Sequence, residues 1–251
     1  MRRGRVLTLL LLGFGLVACS SNTPKDLVEL SDSDLYTQKG VQYMETGRLD
    51  LAQQDLQRAI ELDSHSSEAQ NAMGVLHERL KQPDEAEQFF RRSLSLDENN
   101  PSASNNLGRI LCGQGKYEQA MQLFHKAIDS RLYQTPWLAL TNAGLCAKSQ
   151  GKGAEAESYL RKAVEYNPRF SPALLELAKL SLENNNYLST RAFLERFDAV
   201  NNPTAESLAL GFQAEQALGN QKEAVSYLKK LRRFFPDSPE AHRFGGQSTR
   251  P

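Results

Sequence analysis

Cysteine and histidine have the widest chemical scope in this 251-residue chain, which holds three of the first and four of the second. Paired histidines could bind a transition metal or relay protons. His65, His77, His125 and His242 are scattered instead, with no two standing four apart and no cysteine at zinc-ligand spacing. Neither a glycine-rich phosphate loop nor a Gly-x-Ser-x-Gly nucleophile turn occurs. Glu85, Glu87 and Glu118 fall where a helix would face water. No metal, cofactor or catalytic set is expected, and the chain reads as a binding protein rather than an enzyme. The cysteines are more informative. Cys19 closes an apolar run, and Cys112 and Cys146 stand 34 residues apart.

Arg2, Arg3 and Arg5 precede an almost unbroken apolar stretch from Val6 to Val17, and small residues follow at Ala18-Cys19-Ser20. This is the n-region, h-region and small-residue cleavage site of an exported chain. About a dozen apolar residues fall short of the ~20 that a helix needs to cross a bilayer. Leu16-Val17-Ala18-Cys19 also resembles the bacterial lipobox. That resemblance implies cleavage before Cys19 and acylation of its thiol and new amino terminus, and two or more acyl chains anchor stably. Ser20 stands where an aspartate would signal inner-membrane retention, so the implied destination is the outer membrane of a Gram-negative cell, facing the periplasm. The competing reading is an ordinary cleaved signal with a chance cysteine. Residues 1–18 are read as leader and 19–32 as a lipidated tether. Removing the leader leaves 27 basic against 30 acidic residues, a net of −3. Nothing here suggests nucleic acid as a partner, or a small-molecule substrate.

The remaining chain repeats itself. QKGVQYMETGRLDLAQQDLQRAIELD, NAMGVLHERLKQPDEAEQFFRRSLSLD, NNLGRILCGQGKYEQAMQLFHKAIDS and NAGLCAKSQGKGAEAESYLRKAVEYNP align. A small residue recurs early, as Gly40, Gly74, Gly108, Gly144 and Ala178. A turn residue follows, as Gly47, Lys81, Gly115, Gly151, Asn185 and Gly219. Then comes a second small residue: Ala52, Ala86, Ala120, Ala156, Thr190 and Ala224. That last series steps by 34, 34, 36, 34 and 34, the tetratricopeptide period, in which each unit is a helix A, a turn and a helix B. Small residues let the two helices approach, and Leu56, Phe90, Phe124, Leu160, Leu194 and Leu228 fill the space beside them. Pro168 and Pro236 end their helices. One hairpin cannot bury both its faces, so the units must stack. The expected fold is all-α, a right-handed superhelical solenoid of about six tetratricopeptide repeats at 33–66, 67–100, 101–136, 137–170, 171–204 and 205–238. The tail 239–251 is expected to fray.

The register breaks once, where SRLYQTPW carries two extra residues between repeats three and four. It is either a tolerated loop or a contact surface presenting Tyr133 and Trp137. Trp137 is expected to pack against repeat three. Cys112 and Cys146 fall at nearly the same place in consecutive A helices, so they can form a disulfide pinning adjacent repeats or remain two buried thiols. An oxidising compartment permits the bond. A helices line the concave face of such a solenoid, where extended peptides dock. The alignment places Val41, Met44, Asn71, Val75, Asn105, Asn106, Arg109, Thr141, Asn142, Leu145 and Lys148 on or near it, with Leu175, Lys179 and Leu182 further along. The asparagines could hydrogen-bond a ligand's backbone, and Val41, Met44 and Val75 would form an apolar patch. Inter-repeat packing explains each residue equally well. No lysine-and-asparagine clamp of the kind that grips carboxylate-ended tails is recognisable.

The lipobox, short tether and six repeats together resemble the type IV pilus pilotin family, the pilus biogenesis and stability lipoproteins. The most particular stretch is LYQTPWLALTNAGLCAKSQGKGAEAESYLRKAVEYNP with the FSPALLELAKL that follows. Within it the Tyr133 insertion, Asn-Ala-Gly-Leu-Cys at 142–146 and Ala-Leu-Leu-Glu-Leu-Ala at 173–178 stand out. The resemblance implies an outer-membrane lipoprotein, without enzymatic activity, that helps the pilus secretin reach the outer membrane and assemble into its ring. The alternative is a subunit of the β-barrel assembly machinery or an adaptor for peptidoglycan enzymes, since tetratricopeptide lipoproteins serve both.

Overall fold

The computed structural model describes residues 30–244 and 246. Its helices come in antiparallel pairs: α1 (Asp32–Glu45) with α2 (Leu49–Leu62), α3 (Ser67–Arg79) with α4 (Pro83–Leu96), and α5 (Pro101–Gly113) with α6 (Tyr117–Asp129). The series continues with α7 (Pro136–Ser149) and α8 (Gly153–Tyr166), α9 (Ser171–Glu183) and α10 (Tyr187–Asp198), and α11 (Ala205–Ala217) and α12 (Gln221–Phe234). A short α13 (Pro239–Arg243) follows. The described residues are all helix and turn, stacked as a solenoid.

Local chemistry sets the helix ends. The side chains of Ser66, Asn100, Thr204 and Ser238 each accept a hydrogen bond from the backbone amide three residues on, satisfying a donor the helix cannot. Pro83, Pro101, Pro136 and Pro239 open their helices, where no amide is missed. Every A helix ends the same way. The amide of Arg48 returns to the Tyr43 carbonyl at 2.9 Å, and Gln82, Lys116, Lys152, Asn186 and Asn220 repeat the bond. This closure requires a left-handed residue just before it. Gly47, Gly115, Gly151 and Gly219 supply it without strain, while Lys81 and Asn185 adopt φ of 60° and 57°.

Helix A and helix B meet where a residue without a side chain faces a bulky one sixteen positions later. A Cβ on Gly40 would lie 2.6 Å from Leu56 Cγ, one on Gly74 2.5 Å from Phe90 Cε1, and one on Gly108 2.8 Å from Phe124 Cε1. Gly144 faces Leu160 in the same way. Leu56, Phe90, Phe124, Leu160, Leu194 and Leu228 are all buried, as are Ala52, Ala86, Ala120, Ala156, Thr190 and Ala224. Burying each of those large side chains is worth about 1.5–3 kcal/mol. In repeat six the pairing slips by one position. There Gly211 meets the ring of Tyr227 at a notional 2.5 Å. The next residue, Phe212, is buried and packs edge-on against Phe244, with ring centroids 4.9 Å apart.

Phe244 explains a second difference. The tail is not frayed at its start, because Ser238 caps α13 and Ala241 and Phe244 bury themselves against α11 and α12. Within and between repeats, polar ties supplement apolar packing. Ser67 and Ser93 exchange hydrogen bonds at 2.8–3.1 Å, and Asn100 donates to Ser67 Oγ at 2.9 Å. Arg191 of α10 grips Glu215 of α11 through two bonds at 2.6 and 2.7 Å. Burial alone would raise the Glu215 carboxyl. The Arg191 and Asn220 hydrogen bonds outweigh it and hold the group below its ordinary value of 4.5.

Two predictions follow from this packing. Gly74→Ala drives a methyl into the Phe90 ring and is expected to cost roughly 1–3 kcal/mol of unfolding free energy. Gly113→Ala, at a helical site with nothing within 4 Å, is expected to stabilise by up to ~1 kcal/mol. Urea denaturation of both variants checks the pair. Because the folded pKa of Glu215 is depressed, its contribution is complete above the unfolded value and disappears as pH falls through the folded one. Glu215→Gln should therefore flatten the stability loss below about pH 4.5, read by chemical denaturation across pH 3–7.

Candidate functional site

The A helices of the first three repeats enclose a groove of about 840 Å³. Val41 and Met44 project from α1, Asn71, Ala72 and Val75 from α3, and Asn105 and Asn106 from α5. Helical spacing puts these residues on one face, and the stacking of α1, α3 and α5 brings the faces together. The far wall comes from Leu132, Tyr133 and Thr135 of the segment that holds the two extra residues, with Leu138 of α7 beside them. Tyr133 is buried against Ala127 and Ala139, and burial pushes its phenol pKa upward. Leu132 beside it is exposed and lines the groove. Glu45, Glu68 and Asp97 lie on the lining with Arg79, whose guanidinium donates to the Met44 carbonyl.

Six of the residues chosen from sequence line this cavity: Val41, Met44, Asn71, Val75, Asn105 and Asn106. The asparagines form two cross-repeat pairs. Asn106 Nδ2 donates to Asn71 Oδ1 at 3.0 Å, and Asn142 Nδ2 donates to Asn105 Oδ1 at 2.9 Å. These bonds engage half of each amide. The Nδ2 groups of Asn71 and Asn105 and the Oδ1 atoms of Asn106 and Asn142 have no hydrogen-bond partner among the described residues.

The other candidates sit outside the cavity. Arg109 pairs with Glu78. Thr141 is buried, its hydroxyl donating to the Trp137 carbonyl at 2.7 Å. Leu145 is partly exposed beside Cys146. Lys148 bridges to Glu183 at 2.8 Å, and Lys179 joins Glu176 and Glu206, each at 2.7 Å. Leu175 and Leu182 pack onto the core of repeats four and five. Trp137 packs onto that same core, alongside Ile128 of repeat three. The A-helix face thus has two characters, an open cavity in its first half and ion-paired rungs in its second.

Sequence reasoning did not assign Thr37, Arg79, Leu132, Thr135 or Leu138 to the groove, although the break in register marked the segment that supplies Leu132 and Thr135. Cys112 of α5 and Cys146 of α7 come together in the structure, with Cα atoms 5.8 Å apart and the sulfurs joined. Cys146 is fully buried and both belong to the core of repeats two to four. The joined pair straddles the insertion that builds the far wall. Cys19 and the leader lie outside the described residues. Among the described residues there is no helix long and apolar enough to cross a membrane, and no group of three metal-ligating side chains.

These repeats define the class. The chain belongs to the tetratricopeptide-repeat proteins, with models described as Tetratricopeptide repeat matching residues 32–99, 79–140, 139–170 and 207–238. Within that class it is similar to the type IV pilus assembly protein PilF of Pseudomonas aeruginosa, with 28% identity over 245 residues, 96% of this chain and 97% of that protein. The solved P. aeruginosa PilF structure superposes with a TM-score of 0.78 at 29% identity, over 86% of this chain and 98% of that one. PilW, a widely conserved type IV pilus biogenesis factor, gives 0.77 at 29% identity, over 86% and 99%. YrrB, a repeat protein with an unusual peptide-binding site, shares the fold alone, with a TM-score of 0.58 at 17% identity over 76% of this chain and 97% of that one.

A cross-link between Cys112 and Cys146 closes a loop of about 34 residues and should stabilise by roughly 2–4 kcal/mol. Thiol reductant is expected to lower the denaturation midpoint of the wild type and leave that of a Cys112→Ala/Cys146→Ala double variant unmoved. A wild-type curve insensitive to reductant would mean two free thiols.

Proposed function

We propose that this protein is an outer-membrane lipoprotein that holds secretin subunits of the type IV pilus in its concave groove and promotes their assembly into a ring. The observation that carries the reading is the groove of the first three repeats, which pairs an apolar floor of Val41, Met44 and Val75 with half-engaged asparagine amides. That combination suits an extended segment of another protein. The apolar residues bury its side chains, and the free amide groups satisfy its backbone without reading its sequence. The likeness to two type IV pilus biogenesis proteins along nearly their whole length supports the choice of partner.

Lipidation at Cys19 would place the groove at the membrane where the ring must form. Tethering to a surface raises the effective concentration of captured subunits, which favours multimers without any further contact. The repeats then act as a scaffold, and no bond-making step is required of them.

Secretin multimer in separated inner and outer membranes is the measurement that tests this. Deleting the protein should deplete the ring from the outer membrane, and wild type but not Cys19→Ala should restore it. Val41→Glu places a charge on the apolar floor and is expected to weaken capture roughly tenfold, or about 1.4 kcal/mol. Leu188→Glu, at an exposed site on α10 away from the groove, should leave capture unchanged. An unaltered ring in the deletion strain would overturn the assignment of partner.

A further inference from the structure

Solenoids hide most of each repeat against the next, so the last repeat needs a cover. Among the described residues that cover is the short α13. Helix α11 begins 34 residues after α9, and α13 begins 34 residues after α11. It ends at Arg243, and among the described residues no second helix follows it across α12.

Register identifies the face of α12 that points away from the preceding repeats. Val225 of α12 corresponds to Arg191 of α10, which reaches forward to Glu215 of the following repeat. Lys229 corresponds to His125 of α6, whose ring bonds forward to Tyr159 Oη at 2.7 Å. Both positions therefore look away from repeat five, along the direction in which the repeats stack. A hollow of about 480 Å³ lies there, lined by Lys222, Val225, Ser226, Lys229, Lys230, Arg233 and Phe234.

Its chemistry is specific. Lys222, Lys229 and Arg233 are exposed and form no ion pair with a described carboxylate, and Arg233 lies 5.4 Å over the Phe234 ring. Phe234 is 59% exposed, among the most open large apolar side chains described. Lys230 partly serves Asp198, and Glu223 faces a separate hollow with Arg191 and Glu215. Preceding junctions join cations of A helices α7 and α9 and of B helix α10 to carboxylates of the following repeat. Lys148, Lys179 and Arg191 each bind a glutamate of the next repeat's A helix: Glu183, Glu206 and Glu215.

We propose that the open end of the sixth repeat docks an acidic amphipathic helix of a partner protein, which lies across α12 as the next repeat would. Carboxylates on one turn answer Lys222, Lys229 and Arg233, and an apolar side chain covers Phe234. A second copy presenting this same face would oppose cation to cation. The site is distinct from the concave groove and does not depend on what the groove holds.

The test uses the full chain and a fluorescein-labelled 16-residue helix bearing glutamates and leucines along one face. Saturable binding, weakened at least about tenfold by Lys229→Glu/Arg233→Glu and several-fold by Phe234→Ala, is the expected result. The double variant should in turn gain affinity for the same helix with lysine in place of glutamate, and that gain shows the variant is folded. Equal binding of a scrambled peptide of the same charge would overturn the proposal, as would no binding at all. Binding to phosphatidylglycerol vesicles without binding to the helix would assign the face to a membrane instead. Self-association in sedimentation that the double variant abolishes would assign it to another copy of this chain. Either result sinks the partner helix.

Discussion

The structure depends on a close approach between two helices. Gly40, Gly74, Gly108 and Gly144 each leave a gap that a side chain sixteen residues later fills. With a Cβ at any of them the facing side chain or the helix itself would have to shift. The burial of Leu56, Phe90, Phe124 and Leu160 follows from that contact, as does the alignment of A helices into one wall. Because the same geometry recurs from repeat to repeat, small local departures become visible as functional features.

Three departures matter. The two-residue insertion before α7 swings Leu132 and Tyr133 over the first repeats and converts an open concave wall into a groove. Cys112 and Cys146 join the repeats on either side of that insertion, so the extra length does not become slack. At the far end, Phe212 takes a place that small residues occupy elsewhere and recruits Phe244 and α13 as a partial cap. A solenoid interior is assembled from equivalent contacts, so binding chemistry gathers where equivalence fails.

Much of this was legible in the chain. The period, the six turn residues and the six bulky positions are local properties, and a repeat of fixed length makes each occurrence check the others. All six turn residues have positive φ, including Lys81 and Asn185, where no glycine marks the spot. The slip in repeat six was not legible, because Gly211 and Phe212 satisfy the pattern equally well when only spacing is considered. Of the asparagines expected along the concave face, Asn71, Asn105 and Asn106 line the cavity and Asn142 does not. Their pairing across repeats, Asn106 with Asn71 and Asn142 with Asn105, depends on distances between helices that no single repeat contains.

By itself, then, the amino-acid order determined the helix pairs, their turns, which face of each is buried, and the cysteine positions that adjacent A helices bring together. These follow from backbone preferences and side-chain volume, which act over a few residues or one hairpin. Tertiary structure alone decided that the first half of the A-helix wall is hollow and the second half is crossed by Lys148 and Lys179 ion pairs. It also decided that Lys222, Lys229 and Arg233 of α12 lie exposed on one hollow without a described carboxylate partner. Cavities and unpaired charges are properties of the space between elements, and that space exists only once the repeats are stacked.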